Sequence, residues 1–125
     1  MPQIVLEITR NVEPVPHADL LLGGIHALVA GGGGRLENCK SRLRRLDEYR
    51  VGGGDSQRGF VHLEIRLLEG RSQERKQSLG EAALAFLVAQ FTGALRGMDL
   101  QITVEVGDLP RALYFKHPSG TLGGP

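Results

Sequence analysis

Alternating apolar residues occur twice in this chain, each time followed by helical spacing and then by another strand-like segment, and this repetition restricts the fold more than any single residue does. Residues 3–9 alternate, with Ile4, Leu6 and Ile8 on one side. Residues 17–30 place Leu21, Ile25 and Leu28 on one stripe with Leu22 and Val29 beside it, and residues 40–50 form a charge-rich strand. The order then restarts. Residues 60–68 carry Val61, Leu63, Ile65 and Leu67 on one face, Ser72 stands where a helix cap belongs, and Leu79, Ala83, Phe86, Leu87 and Phe91 share helical spacing. Leu100, Ile102, Val104 and Val106 close the second unit over residues 100–106. The expected class is α+β: a duplicated β-α-β in ferredoxin-like order, forming a four-stranded sheet with two helices on one face. The reading assigns residues 1–125 to a single domain, with pseudo-repeats at about 2–50 and 60–107 and a tail over 108–125.

That arrangement leaves Phe60, His62, Glu64 and Arg66 on the uncovered face, a mixed surface suited to association or to a site. Glycine-rich connections follow the first helix, Gly31 to Gly34, and separate the halves, Gly52 to Gly54. Gly23 and Gly24 each weaken the first helix by roughly 1 kcal/mol relative to Ala, so it is the less secure of the two. With 125 residues, 41% hydrophobic and 23% charged, the chain can bury one real core. A net charge of +1 argues against nucleic acid or an anionic membrane as the main partner, so any anion binding must be local. Cys39 is the single cysteine, which excludes an intramolecular disulfide and fits a reducing compartment. Residues 1–10 alternate and include Glu7, unlike a secretory leader, and every apolar stretch is too short to span a bilayer; a cytoplasmic protein is expected.

Several motifs fail on chemistry. Gly34 to Ser41 ends in Cys39-Lys40-Ser41 with P-loop spacing, but it lacks the second glycine and leads into a strand instead of a helix N-terminus. Arg58-Gly59-Phe60 opens the third strand as in an RNA-recognition octamer, yet stacking rings are missing where His62 and Ile65 stand. His17, His26, His62 and His117 have no metal-like spacing. The basic strand is more informative: Lys40, Arg42 and Arg44 recur at period two and share one face, with Arg45 and Arg50 extending the run. Such a strand serves either as a solvated, protected edge or as a wall for carboxylates, where arginine supplies a fork and lysine a point charge. Arg71 adds a cation at the turn before the second helix. Pro2 follows Met1 at the head of the first strand; trimming of Met1 leaves a secondary amine whose ordinary pKa, roughly 7.7–8.0 for an α-amino group, suits a proton carrier.

The segment Phe60-Val61-His62-Leu63, then Glu69-Gly70-Arg71-Ser72 and a helix opening Gln73-Glu74-Arg75-Lys76-Gln77, together with Pro2 and Leu113-Tyr114-Phe115-Lys116, resembles the tautomerase superfamily and within it the 5-carboxymethyl-2-hydroxymuconate isomerases. The resemblance implies a homotrimeric isomerase without cofactor, acting on a small unsaturated oxo-dicarboxylate. It implies Pro2 as the general base, Arg71 and Lys40 as catalytic cations, and Arg42 as a substrate-binding residue. Phe115 belongs to an apolar wall contributed by the tail. One position departs: Lys40 stands where those isomerases have arginine, which keeps the charge and loses the bidentate fork. Two other readings accompany this one: a non-catalytic trimeric homologue that binds a small acid, and a single-stranded nucleic-acid binder using the Lys40 to Arg50 strand, which predicts steep salt dependence.

Overall fold

The run at residues 3–9 becomes an inner strand because it has hydrogen-bonding neighbours on both sides. In the computed structural model, which describes residues 2–119, the elements are β1 (Gln3–Thr9), α1 (Ala18–Gly31), β2 (Lys40–Leu46), β3 (Arg58–Leu68), α2 (Gln73–Gln90), α3 (Thr92–Gly97) and β4 (Asp99–Leu109). The sheet order is β2-β1-β3-β4. Each half pairs its own strands in parallel, β1 with β2 and β3 with β4, and the halves meet through the antiparallel β1–β3 pair. Met1, and Gly120, Gly123 and Gly124 of the expected tail, lie outside the described residues.

The β1–β3 register sets Ile4 against Ile65, Leu6 against Leu63 and Ile8 against Val61. All six side chains are fully buried. Leu21, Ile25 and Val29 of α1 and Leu79, Ala83 and Leu87 of α2 complete that core, with Phe91 at the end of α2. Both helices thus cover one face, as the alternation requires. Ser72 caps α2 as expected, its hydroxyl accepting from the Arg75 N–H at 3.1 Å. At α1 the cap is His17, whose Nδ1 accepts from the Asp19 N–H.

The second strand is shorter than the 40–50 expected. It is an edge strand whose one partner, β1, stops at Thr9, and Thr9 is paired with Leu46. Beyond it Asp47 is drawn off to the Arg10 guanidinium, and Gly52 and Gly54 turn the chain with positive φ. Arg45 also departs from the basic wall. It points opposite to Lys40, Arg42 and Arg44, and its Nη2 donates to the carbonyls of Arg10 and Val12 at 2.9 and 3.3 Å, fastening the segment that leaves β1. The short helix α3 was not expected; it buries only Ala94, too little for a periodic signal.

Two glycines are dictated by close approach. Thr9 is buried and satisfied: its hydroxyl donates to Asn11 Oδ1 at 2.7 Å and accepts from the Phe60 N–H at 3.1 Å. A Cβ on Gly59 would stand 2.6 Å from that hydroxyl oxygen, so the glycine of Arg58-Gly59-Phe60 serves this polar knot. In α1, a Cβ on Gly24 would fall 2.7 Å from Phe86 Cε1 of α2, whereas one on Gly23 would meet nothing within 4 Å. The two adjacent glycines should therefore respond oppositely to alanine. Gly23→Ala is expected to stabilise by about 0.5–1 kcal/mol through helix propensity. Gly24→Ala is expected to destabilise by about 1–2 kcal/mol, because the Phe86 ring must leave its place. Urea unfolding midpoints of the two variants measure this directly.

Candidate active site

Proline has no N–H to give to a ladder, and Pro2 stands just before β1, where none is needed. It is tied down by its other backbone group: the Lys40 N–H donates to the Pro2 carbonyl at 3.2 Å. The residue is buried. Because Gln3 is in register with Lys40 on one side and Arg66 on the other, Pro2 sits at the end of the sheet where β2 begins and β3 finishes.

At that end the chain leaving β3 turns through Glu69, Gly70 and Arg71 into α2. Gly70 has φ +122, a conformation that L side chains rarely adopt. The turn leaves Arg71 half-buried, its Nη1 donating to the Leu68 carbonyl at 3.3 Å. The glycine turn after α1 comes up against it. A Cβ on Gly33 would lie 3.5 Å from Arg75 Nη1 and 4.0 Å from Arg71 Nε, so both guanidinium groups rest over that turn, near the positive end of the α2 dipole. A groove between the helices, lined by Gly32, Gly33, Ser72, Glu74, Arg75 and Ser78, opens nearby, and Pro2, Lys40, Arg42 and Arg71 are not among its lining residues.

Lys40 is exposed at the start of β2, with Nζ 3.4 Å from the Asn38 carbonyl. Arg42 shares its face and reaches back along the sheet, donating from Nη1 to Gln3 Oε1 at 2.6 Å. The amide nitrogen of Gln3 in turn donates to the Tyr114 hydroxyl at 2.9 Å. Four of the five sequence-derived candidates, Pro2, Lys40, Arg42 and Arg71, therefore lie toward one end of the sheet, Lys40 and Arg42 on its uncovered face and Arg71 on the helix side. Among the described residues no carboxylate is ion-paired with Lys40, Arg42 or Arg71. The fifth, Phe115, is 85% exposed and faces away from the chain, while its neighbour Tyr114 makes the contact beside Pro2.

Cys39 lies in the same corner, next to Lys40. Burial raises its thiol pKa against the opposing pull of the nearby positive charge of Lys40, and its Sγ donates weakly to the Arg35 carbonyl. It is held as a thiol, unsuited to nucleophilic work. The uncovered sheet face carries its own pairs: His62 bonds Thr103 Oγ1 at 2.6 Å and Glu105 Oε1 at 2.9 Å, and Glu7 faces Arg44 at 3.8 Å. Gln3, Tyr114 and Arg75 were not singled out from the sequence. The first two meet across 111 positions, and no local pattern announces such a pair.

The fold agrees with what comparison with known proteins finds. The family model described as 5-carboxymethyl-2-hydroxymuconate isomerase matches residues 2–119. A 5-carboxymethyl-2-hydroxymuconate Delta-isomerase from Escherichia coli is 25% identical over 117 residues, covering 93% of each chain. The crystal structure of a 5-carboxymethyl-2-hydroxymuconate isomerase from Deinococcus radiodurans R1 superposes with a TM-score of 0.84 at 27% identity, covering 94% of this chain and 90% of that one. A fused 4-OT described as a symmetric trimer shares the fold, with a TM-score of 0.65 at 19% identity over 88% of this chain and 87% of its own. The tandem β-α-β architecture and the match along nearly the whole chain place this protein in the 5-carboxymethyl-2-hydroxymuconate isomerase family of the tautomerase superfamily, as an isomerase.

Proposed function

We propose that this isomerase acts without a cofactor on a small unsaturated oxo-dicarboxylate, with the Pro2 nitrogen as general base once Met1 has been removed. The observation that carries the reading is a buried Pro2 bonded through its carbonyl to the Lys40 backbone at the end of the sheet where the Arg71 turn lies, with neither Lys40 nor Arg71 ion-paired among the described residues. The neutral amine takes the hydroxyl proton of the dienol. The oxygen's electron pair closes to a carbonyl, the conjugated double bond shifts, and the far carbon receives the proton from the ammonium. Negative charge spreads along the conjugated system during transfer. Arg71 and Lys40 stabilise it, Arg42 holds a carboxylate, and the same cations lower the affinity of the Pro2 nitrogen for its proton. Lysine at position 40 keeps the charge without the fork, so it holds the carboxylate less rigidly than arginine does and admits diacids of a different span.

We also propose a homotrimer. Supporting it are the uncovered sheet face, the relative described as a symmetric trimer, and Leu113 and Phe115, 72% and 85% exposed in a single chain. In that assembly Phe115 serves a neighbouring copy's cavity, where a ring excludes water. No helix among the described residues is long and apolar enough to cross a membrane.

The test begins with intact mass, which reports whether Pro2 carries a free nitrogen, and continues with ultraviolet absorbance of dienol and 2-oxo-enoate diacids. Protein beginning at Pro2 is expected to convert the dienol catalytically; protein retaining Met1, whose Pro2 nitrogen is an amide, is expected to bind without turnover. Pro2→Ala should lower kcat by about 10²-fold or more with unchanged circular dichroism. Full activity in that variant sinks the assignment. Cys39→Ser should retain wild-type turnover. Because burial raises the thiol pKa, the folded chain keeps that proton to higher pH, and iodoacetamide at pH 8 should alkylate Cys39 more slowly than it does a free thiol.

A further inference from the structure

The segment that follows β4 touches both halves of the proposed site. At the last residue of β4, the Glu69 N–H donates to the Leu109 carbonyl at 3.0 Å. The Arg111 N–H donates to Glu69 Oε1 at 2.6 Å, and Arg111 Nε donates to the Glu69 carbonyl at 3.2 Å. Arg111 Nη2 would lie 3.7 Å from a Cβ built on Gly70. The Glu69-Gly70 peptide is therefore gripped from the carboxylate, from the carbonyl and from above, and the next residue is Arg71. A 3-10 turn over Arg111–Leu113 then carries the chain to Tyr114, whose hydroxyl accepts from Gln3, the residue after Pro2. None of these residues reaches toward the groove itself. Arg111 and Glu69 are exposed, and Glu69 has no ion pair among the described residues.

We infer that the segment Leu109 to Tyr114 is a positioning clamp, in which Glu69 and Arg111 fix the turn bearing Arg71 while Tyr114, through Gln3, registers that turn against the strand bearing Pro2. The inference rests on the function proposed above and adds to it the residues that set the distance between base and cation. Transition-state stabilisation by a cation depends steeply on its placement, and a displacement of about 1 Å costs up to about 10²-fold in rate. Gly70 makes the clamp necessary: its backbone alone does not hold the turn in one conformation. The carboxylate of Glu69 is used as an acceptor, not as a charge, since its bond goes to a backbone N–H.

The consequence is a specific ranking of variants. Glu69→Ala removes the acceptor and is expected to lower kcat/KM for the dienol diacid by about tenfold, mostly in kcat, with thermal unfolding unchanged within about 2 °C because the side chain is exposed. Glu69→Gln keeps an oxygen at the same position and should restore at least half of the wild-type value. Tyr114→Phe, which removes one hydroxyl, should lower kcat/KM by about threefold. The deciding measurement is a double-mutant cycle with Arg71. In an Arg71→Ala background, Glu69→Ala should cost less than twofold, because the clamp acts through Arg71; a full tenfold cost there overturns the inference. So does a Glu69→Ala enzyme with wild-type kcat/KM while Arg71→Ala is impaired. If Arg71→Ala is itself fully active, the active-site assignment fails, and that result is distinct from failure of the clamp alone.

Discussion

Everything at the proposed site descends from one antiparallel pairing. Among the described residues, the β1–β3 pair alone joins the two halves within the sheet, and its register is enforced by six fully buried aliphatic side chains facing the helices. A slip by one residue would turn Ile4, Leu6 and Ile8 outward, so the pairing has a single acceptable solution. That solution also brings the start of β1 to the finish of β3. Pro2 and the turn bearing Arg71, nearly seventy positions apart, thereby come to the same end of the sheet.

Electrostatics at this corner are left unsettled by the fold. Elsewhere charges are matched: Arg10 with Asp47, Lys76 with Asp108, Arg58 with Asp99. The Arg10 and Arg58 pairs are solvent-exposed and contribute little to stability, about 0–1 kcal/mol each, whereas Lys76 is more enclosed. At the Pro2 end the cations are instead satisfied by carbonyls and an amide: Leu68 for Arg71, Asn38 for Lys40 and Gln3 for Arg42. Such partners orient a side chain while leaving its positive charge intact. In the proposed reaction a dianion would meet that charge without an ion-paired carboxylate, which is the condition for electrostatic stabilisation of an enolate.

Much of this was legible in the sequence, for reasons that differ by element. The strands could be read because the β1 and β3 side chains alternate strictly, and α2 because Leu79, Ala83 and Leu87 repeat at helical spacing behind the Ser72 cap. The end of β2 could not be read, since nothing in Arg45 to Arg50 says that β1 has already stopped. Arg45 illustrates the same limit: by composition it belongs to a basic run, and by position it is a fastening for the Arg10 to Val12 segment. The candidate cations were visible as residue types at suggestive places. Their organisation was not, because Gln3 with Tyr114 and Glu69 with Arg111 are tertiary partners whose spacing carries no periodic signal.

The attachment of Pro2 has one more implication. Strand β1 is moored at its head through an oxygen acceptor, and the imide nitrogen takes no part in the ladder. The hydrogen bonding of β1 therefore does not depend on what that nitrogen carries. Under the function proposed above, the difference between an inert copy and a working one would then lie with removal of Met1, a step that the pairing of β1 neither helps nor hinders.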